Sequence, residues 1–104
     1  MIPLVGKAIA FDAKECMSTT SFPLSNIKQH QLIYLTIFSE LGGSGFFFIH
    51  FKKIKPNHAY VTPPSLVNSY WNTDKRKSIP LTDFKDEWLV PIDDYLPHFI
   101  NTII

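Results

Sequence analysis

Asp12 and Lys14 are the two residues of this chain best placed to do chemistry together. They lie in Ile9-Ala10-Phe11-Asp12-Ala13-Lys14-Glu15, a segment that otherwise reads as a buried β-strand. Successive strand side chains point to opposite faces, so the carboxylate and the ammonium project from the same one. Ala8 and Ala10 share that face and are small, while Ile9 and Phe11 pack the other. An acid beside a lysine at a strand end suits a site that holds Mg²⁺ and stabilises charge on a phosphodiester. The competing reading is a surface strand end carrying a local ion pair.

Other residues must position that pair. Residues 7–14 form the first clear strand, followed by a hydroxyl-rich polar loop over residues 17–26. Ser25 or Asn26 then caps a helix that runs to about Leu41 and stops at Gly42-Gly43. Along that helix Ile27, Gln31, Tyr34, Leu35, Phe38 and Leu41 follow one stripe, expected to face the strand of Asp12 and Lys14. Gln31 is the polar exception. Its amide either bonds to backbone at the helix start or reaches a metal, a water or a phosphate. Leu32, Ile33 and Ile37 make a second face apolar, so the helix is deeply buried or contributes to a dimer contact.

Phe46 to Phe51 is apolar at nearly every position, as a central strand covered on both faces would be. A short basic turn through Pro56-Asn57 leads to an antiparallel strand over Ala59 to Thr62. Thr62-Pro63-Pro64 opens a helix through about Asn72, with Thr62 as cap and Pro63 in the first turn. Residues 74–78 form a basic loop. A helical turn over 82–87, a short strand over 88–90 and a closing helix from Asp93 or Asp94 to Ile103 complete the chain. The class is α/β, with a small mixed sheet flanked by helices.

The 104 residues suit a single domain, expected to span 1–104, with 45% hydrophobic content and nine Phe for its core. One cysteine, Cys16, cannot form an internal disulfide, and no apolar run is long enough for a bilayer, so a cytoplasmic protein is expected. Net charge is +1, but residues 1–80 carry nine Lys/Arg against four acids, whereas residues 81–104 carry one Lys against five. The basic part suits a polyanion, and a solvated mixed surface is the plainer alternative. Lys52, Lys53 and Lys55, with Lys75, Arg76 and Lys77, are the candidate phosphate contacts. The four His have no metal-ligand spacing, and no Ser/His/Asp triad or phosphate-cradling glycine loop is present. Tyr70-Trp71 either pack or offer a ring to an unpaired base.

The chain resembles the RecU-type Holliday junction resolvases of the PD-(D/E)XK nuclease superfamily. The residues that carry the resemblance are Phe11-Asp12-Ala13-Lys14-Glu15, Thr20-Ser21-Phe22-Pro23-Leu24 and His30-Gln31, with Gly45-Phe46-Phe47-Phe48 and Arg76-Lys77-Ser78-Ile79-Pro80 further on. Order and spacing match from about residue 6 to about residue 100. The resemblance implies a restriction-endonuclease-like core and a homodimeric endonuclease that uses Mg²⁺ or Mn²⁺ to nick four-way junctions and related branched DNA. By position it makes Asp12 the metal-binding acid, Lys14 the lysine that assists attack, and the Ala13 carbonyl a further metal ligand. Gln31 matches the helix glutamine near the site. Thr20, Ser21, Lys52, Lys53, Arg76 and Lys77 become expected DNA contacts.

Two departures from the family pattern bear on activity. Position 12 is Asp where the family usually has Glu, and residues 1–11 contain no acid where the family has an upstream Asp. The chain therefore reads as lacking an N-terminal part, with one expected metal-binding carboxylate missing. Its alternative is a catalytically weak or inactive nuclease-fold protein that binds DNA or a recombination partner. A small homodimeric interaction domain is the third possibility.

Overall fold

The structure is a computed structural model and describes residues 3–4, 7–73 and 77–92. Among the described residues, seven strands and two α-helices follow the expected α/β alternation: β1 (Pro3–Leu4), β2 (Lys7–Cys16), β3 (Ser21–Pro23), α1 (Gln29–Glu40), β4 (Ser44–Phe51), β5 (His58–Thr62), α2 (Pro64–Trp71), β6 (Ser78–Pro80) and β7 (Leu89–Pro91). Five strands form a mixed sheet in the order β1-β2-β4-β5-β7. Its centre is the parallel β2–β4 pair, which sets Asp12 beside Phe47 and Lys14 beside Ile49. The β4–β5 pair is antiparallel, as its short connection requires.

The two faces of the sheet are separate cores. On one, Phe47, Ile49, Phe51 and Tyr60 pack with Leu32 and Leu35 of α1 and Val67 of α2. On the other, Phe46, Phe48 and Ala59 cluster with Ile9, Phe11, Val61 and Val90, and the Phe11 ring stacks on Phe46 at 5.3 Å. This is the two-sided burial that the apolar run in β4 predicts.

Helix α1 ends where the glycine pair predicts. Gly42 takes φ +97°, its N–H donates to the Ser39 carbonyl, and the Gly43 N–H donates to Phe38. The helix begins later than expected, however, at Gln29, with Lys28 at the cap and a separate 3₁₀ turn over Leu24–Asn26. Its buried stripe also differs from the expected one. Leu32 and Leu35 face the core, while Tyr34 and Leu41 are exposed along with Ile33 and Ile37. With apolar residues nearly all round, periodicity could not choose between stripes, and tertiary packing chose.

Proximity of α1 to β4 depends on Gly45. A β-carbon there would stand 2.8 Å from the Leu35 carbonyl oxygen, and the Ser39 hydroxyl bonds both to the Gly45 N–H (3.2 Å) and to its carbonyl (3.3 Å). Gly45→Val must push helix and strand apart. A loss of about 1–3 kcal/mol is expected in urea unfolding, and an unchanged midpoint would contradict the close approach.

Three smaller departures have local causes. Thr62 stays in β5, paired with Phe47, so Pro63 rather than Thr62 occupies the cap of α2. The hydroxyl-rich loop contains β3, which pairs antiparallel with β6 through Phe22 and Ile79. The expected turn over 82–87 is two 3₁₀ turns, Leu81–Asp83 and Asp86–Trp88. The closing helix expected from residue 93 lies outside the described residues.

Two buried ionisable groups tie this core to pH. Burial pushes the Cys16 thiol above its ordinary 9.0, partly offset by the Ser18 backbone N–H, and burial aided by the Asp86 charge pushes Tyr60 above 10.0. Both groups lose their protons more readily when unfolded, so the unfolded state binds fewer protons across this range and stability falls as pH rises. Thermal melts should show this loss setting in near pH 9 and growing through pH 10, with a shallower fall in Cys16→Ala. A flat profile from pH 8 to 10.5 would refute it.

Candidate active site

Strand alternation fixes which way the site faces. Ala10 and Cys16 belong to the helix-side core, so Asp12 and Lys14, of the same parity on β2, point to that side as well. Lys14 Nζ lies 3.2 Å from Asp12 Oδ2, and the two side chains are only 19% and 29% exposed. The Oδ2 atom is itself shielded from solvent and has no hydrogen bond, so the Lys14 charge alone meets it among the described residues. Such an ion pair is more sheltered than a surface bridge.

The strand edge beside this pair is open. Strand β1 meets β2 only at Lys7 and Ala8, so among the described residues nothing pairs with that edge over residues 9–16. The Cys16 carbonyl accepts a bond from Lys52 N–H on the β4 side. Carbonyls alternate along a strand, so that of Ala13 points to the open edge. The donor set thus supplies part of a divalent-cation site: the Asp12 carboxylate, ion-paired to Lys14 through Oδ2, and one backbone carbonyl beside it. Among the described residues, no group of three or more His, Cys, Asp or Glu side chains could hold a metal.

Gln31 takes up the backbone role. Its Oε1 accepts a bond from the Lys28 N–H at 3.0 Å, closing the first turn of α1. The loop after β2 is organised by Ser18, which sequence reasoning did not single out; its Oγ accepts from the Thr20 and Ser21 N–H groups at 3.2 and 3.1 Å. A serine opening a Ser-Thr-Thr-Ser run is the local signal for such a turn. Thr20 is exposed, and its carbonyl accepts the Leu81 N–H.

The basic residues divide into separate places. Lys52 pairs with Glu15 at 3.3 Å, and both belong to the sheet face opposite Asp12 and Lys14. Glu15 is thus turned away from the site, as alternation predicts. Lys53 is exposed in the β4–β5 turn. Lys77 and Ser21, far apart in the chain, border one cavity beside the β3–β6 ribbon. Lys75 and Arg76 lie outside the described residues. His50 is half-buried with Nε2 3.0 Å from the Pro56 carbonyl.

Comparison with known proteins gives these residues a family. The model of the family described as "RecU: Recombination protein U" matches residues 4–102. The Holliday junction resolvase RecU of Limosilactobacillus fermentum is 38% identical over 101 residues, covering 88% of this chain and 47% of that protein. That of Pediococcus pentosaceus is 38% identical over 85 residues (79% and 41%), and that of Listeria welshimeri 34% over 99 residues (92% and 46%). The chain spans less than half the length of these relatives. Matched by the family model over almost all of its residues, it belongs to the RecU family.

Proposed function

We propose that residues 1–104 form a single nuclease domain of an endonuclease of the Holliday junction resolvase type, which uses Mg²⁺ or Mn²⁺ to nick branched DNA in recombination and repair. The observation that carries this reading is the sheltered Asp12–Lys14 pair beside an open strand edge, in a chain of this family. Asp12 and the Ala13 carbonyl would hold the cation, whose chemistry is to acidify a bound water and offset phosphate charge. Lys14 already stands as an ammonium against Asp12. As water attacks phosphorus and the bond to the leaving oxygen breaks, that ammonium stabilises the extra negative charge on the phosphoryl oxygens. A second carboxylate would have to be supplied by another chain or segment, for which the edge over residues 9–16, unpaired among the described residues, leaves room.

The exposed apolar face of α1, with Ile33, Tyr34, Ile37 and Leu41, supports a homodimer. No described helix is long and apolar enough to cross a membrane, and we place the domain in the cytoplasm with its DNA. Thr20, Ser21, Lys53 and Lys77 are the DNA contacts of this reading, with Arg76 beside them in sequence and Lys52 on the opposite sheet face. The limited carboxylate set favours a second reading, in which the domain binds junctions without cutting them.

A synthetic four-way junction separates the two. Nicks that need Mg²⁺ or Mn²⁺ and disappear with chelator are the expected result. Salt-sensitive binding with no nick under either metal would favour the binding-only reading, and neither binding nor nicking would remove both.

A further inference from the structure

Between the β3–β6 ribbon and the end of α2 lies a cavity of about 590 Å³, a size that small-molecule and nucleotide sites commonly have. Its wall carries Ser21, Ser25, Thr73, Lys77 and Ser78, and Trp71 stands among them. No acidic side chain belongs to this lining among the described residues. Four hydroxyls and one ammonium suit an anionic, oxygen-rich ligand. Trp71 is only partly buried against the core, which leaves ring surface to the cavity. A cation and hydroxyls beside an aromatic face is the pairing that single-stranded nucleic acid requires, one for the backbone and one for the base.

We propose that this cavity receives one unpaired nucleotide of a DNA strand, its base stacked on Trp71 and its phosphate held by Lys77 and the surrounding hydroxyls. The loop that Ser18 organises leads directly from the Asp12–Lys14 strand into β3, so the cavity begins one short loop after the cleavage pair. The proposal rests on the nuclease reading for its choice of DNA, but binding here is independent of cutting. Bases are freely available only where a duplex is interrupted, so the cavity would favour branch points with unpaired positions over continuous duplex.

Intrinsic fluorescence tests it, because Trp71 and Trp88 are the two tryptophans of the chain. The titration uses a short oligothymidylate without metal, so the outcome does not depend on catalysis. Quenching is expected in the wild type and not in Trp71→Phe, where Trp88 alone reports. Ser25 is exposed, so Ser25→Phe fills the cavity without touching the core; it should weaken oligothymidylate binding about 10-fold, the scale of one lost stacked base. Quenching that persists in Trp71→Phe, or full affinity in Ser25→Phe, would overturn the inference. A chain that nicks junctions but shows no Trp71 quenching loses this cavity and keeps its nuclease reading.

Discussion

Asp12→Asn should lower metal-dependent nicking of a four-way junction by at least about 100-fold, the scale on which one preorganised charged group contributes to such transition states. The substitution keeps shape and removes charge. It leaves the Lys14 ammonium, only 19% exposed, without its partner at 3.2 Å. Lys14→Ala should cost cleavage similarly, and it strands the shielded Oδ2 of Asp12. Stability should therefore fall in either single variant, by about 1 kcal/mol after allowance for solvent screening, and recover in part when both charges are removed. Junction cleavage with urea unfolding on the four proteins checks both halves. Nicking that survives Asp12→Asn would place the chemistry elsewhere.

The largest loss of stability is expected at Phe51→Ala. Phe51 is fully buried at the end of β4, with edge-to-face contacts to Tyr60 at 6.0 Å and Phe84 at 5.3 Å. Truncation removes a ring from a place where strand, 3₁₀ turn and the β4–β5 connection converge, and neither aromatic neighbour can collapse into the space. The expected cost is about 3–5 kcal/mol, a large part of the roughly 5–15 kcal/mol that holds a small domain together. Chemical denaturation measures it directly. A loss below about 1 kcal/mol would mean that these rings do not close the core.

How far these features could be read beforehand depended on the range of the interaction that makes them. Asp12 and Lys14 share a face because alternation is a property of one strand, and Glu15 points away for the same reason. The apolar run from Phe46 to Phe51 announces a central strand without knowledge of its neighbours. Strand β3 could not be read this way. Three residues between Thr20 and Leu24 are too few to show a period, and their partner β6 is more than fifty positions along the chain. The stripe on α1 was ambiguous for a different reason: apolar side chains on several faces left orientation to packing, which buried Leu32 and Leu35 and exposed Tyr34. Gln31 carried two readings, and the local bond is present, its Oε1 accepting the Lys28 N–H at the start of α1. The pairing of Ser21 with Lys77 around one cavity was beyond local reasoning altogether.

The β3–β6 ribbon has a consequence for how the molecule assembles. Two three-residue strands have little cohesion of their own, and α1, β4, β5 and α2 all lie in the chain between them. Joining their ends closes a long loop, a step whose entropy is recovered only once Phe22 and Ile79, both fully buried, have a finished core to enter. The ribbon should then be a late acquisition in folding, scarcely formed in the rate-limiting barrier. Phe22→Leu would accelerate unfolding while leaving the folding rate nearly untouched, like a clasp fastened after the garment is on.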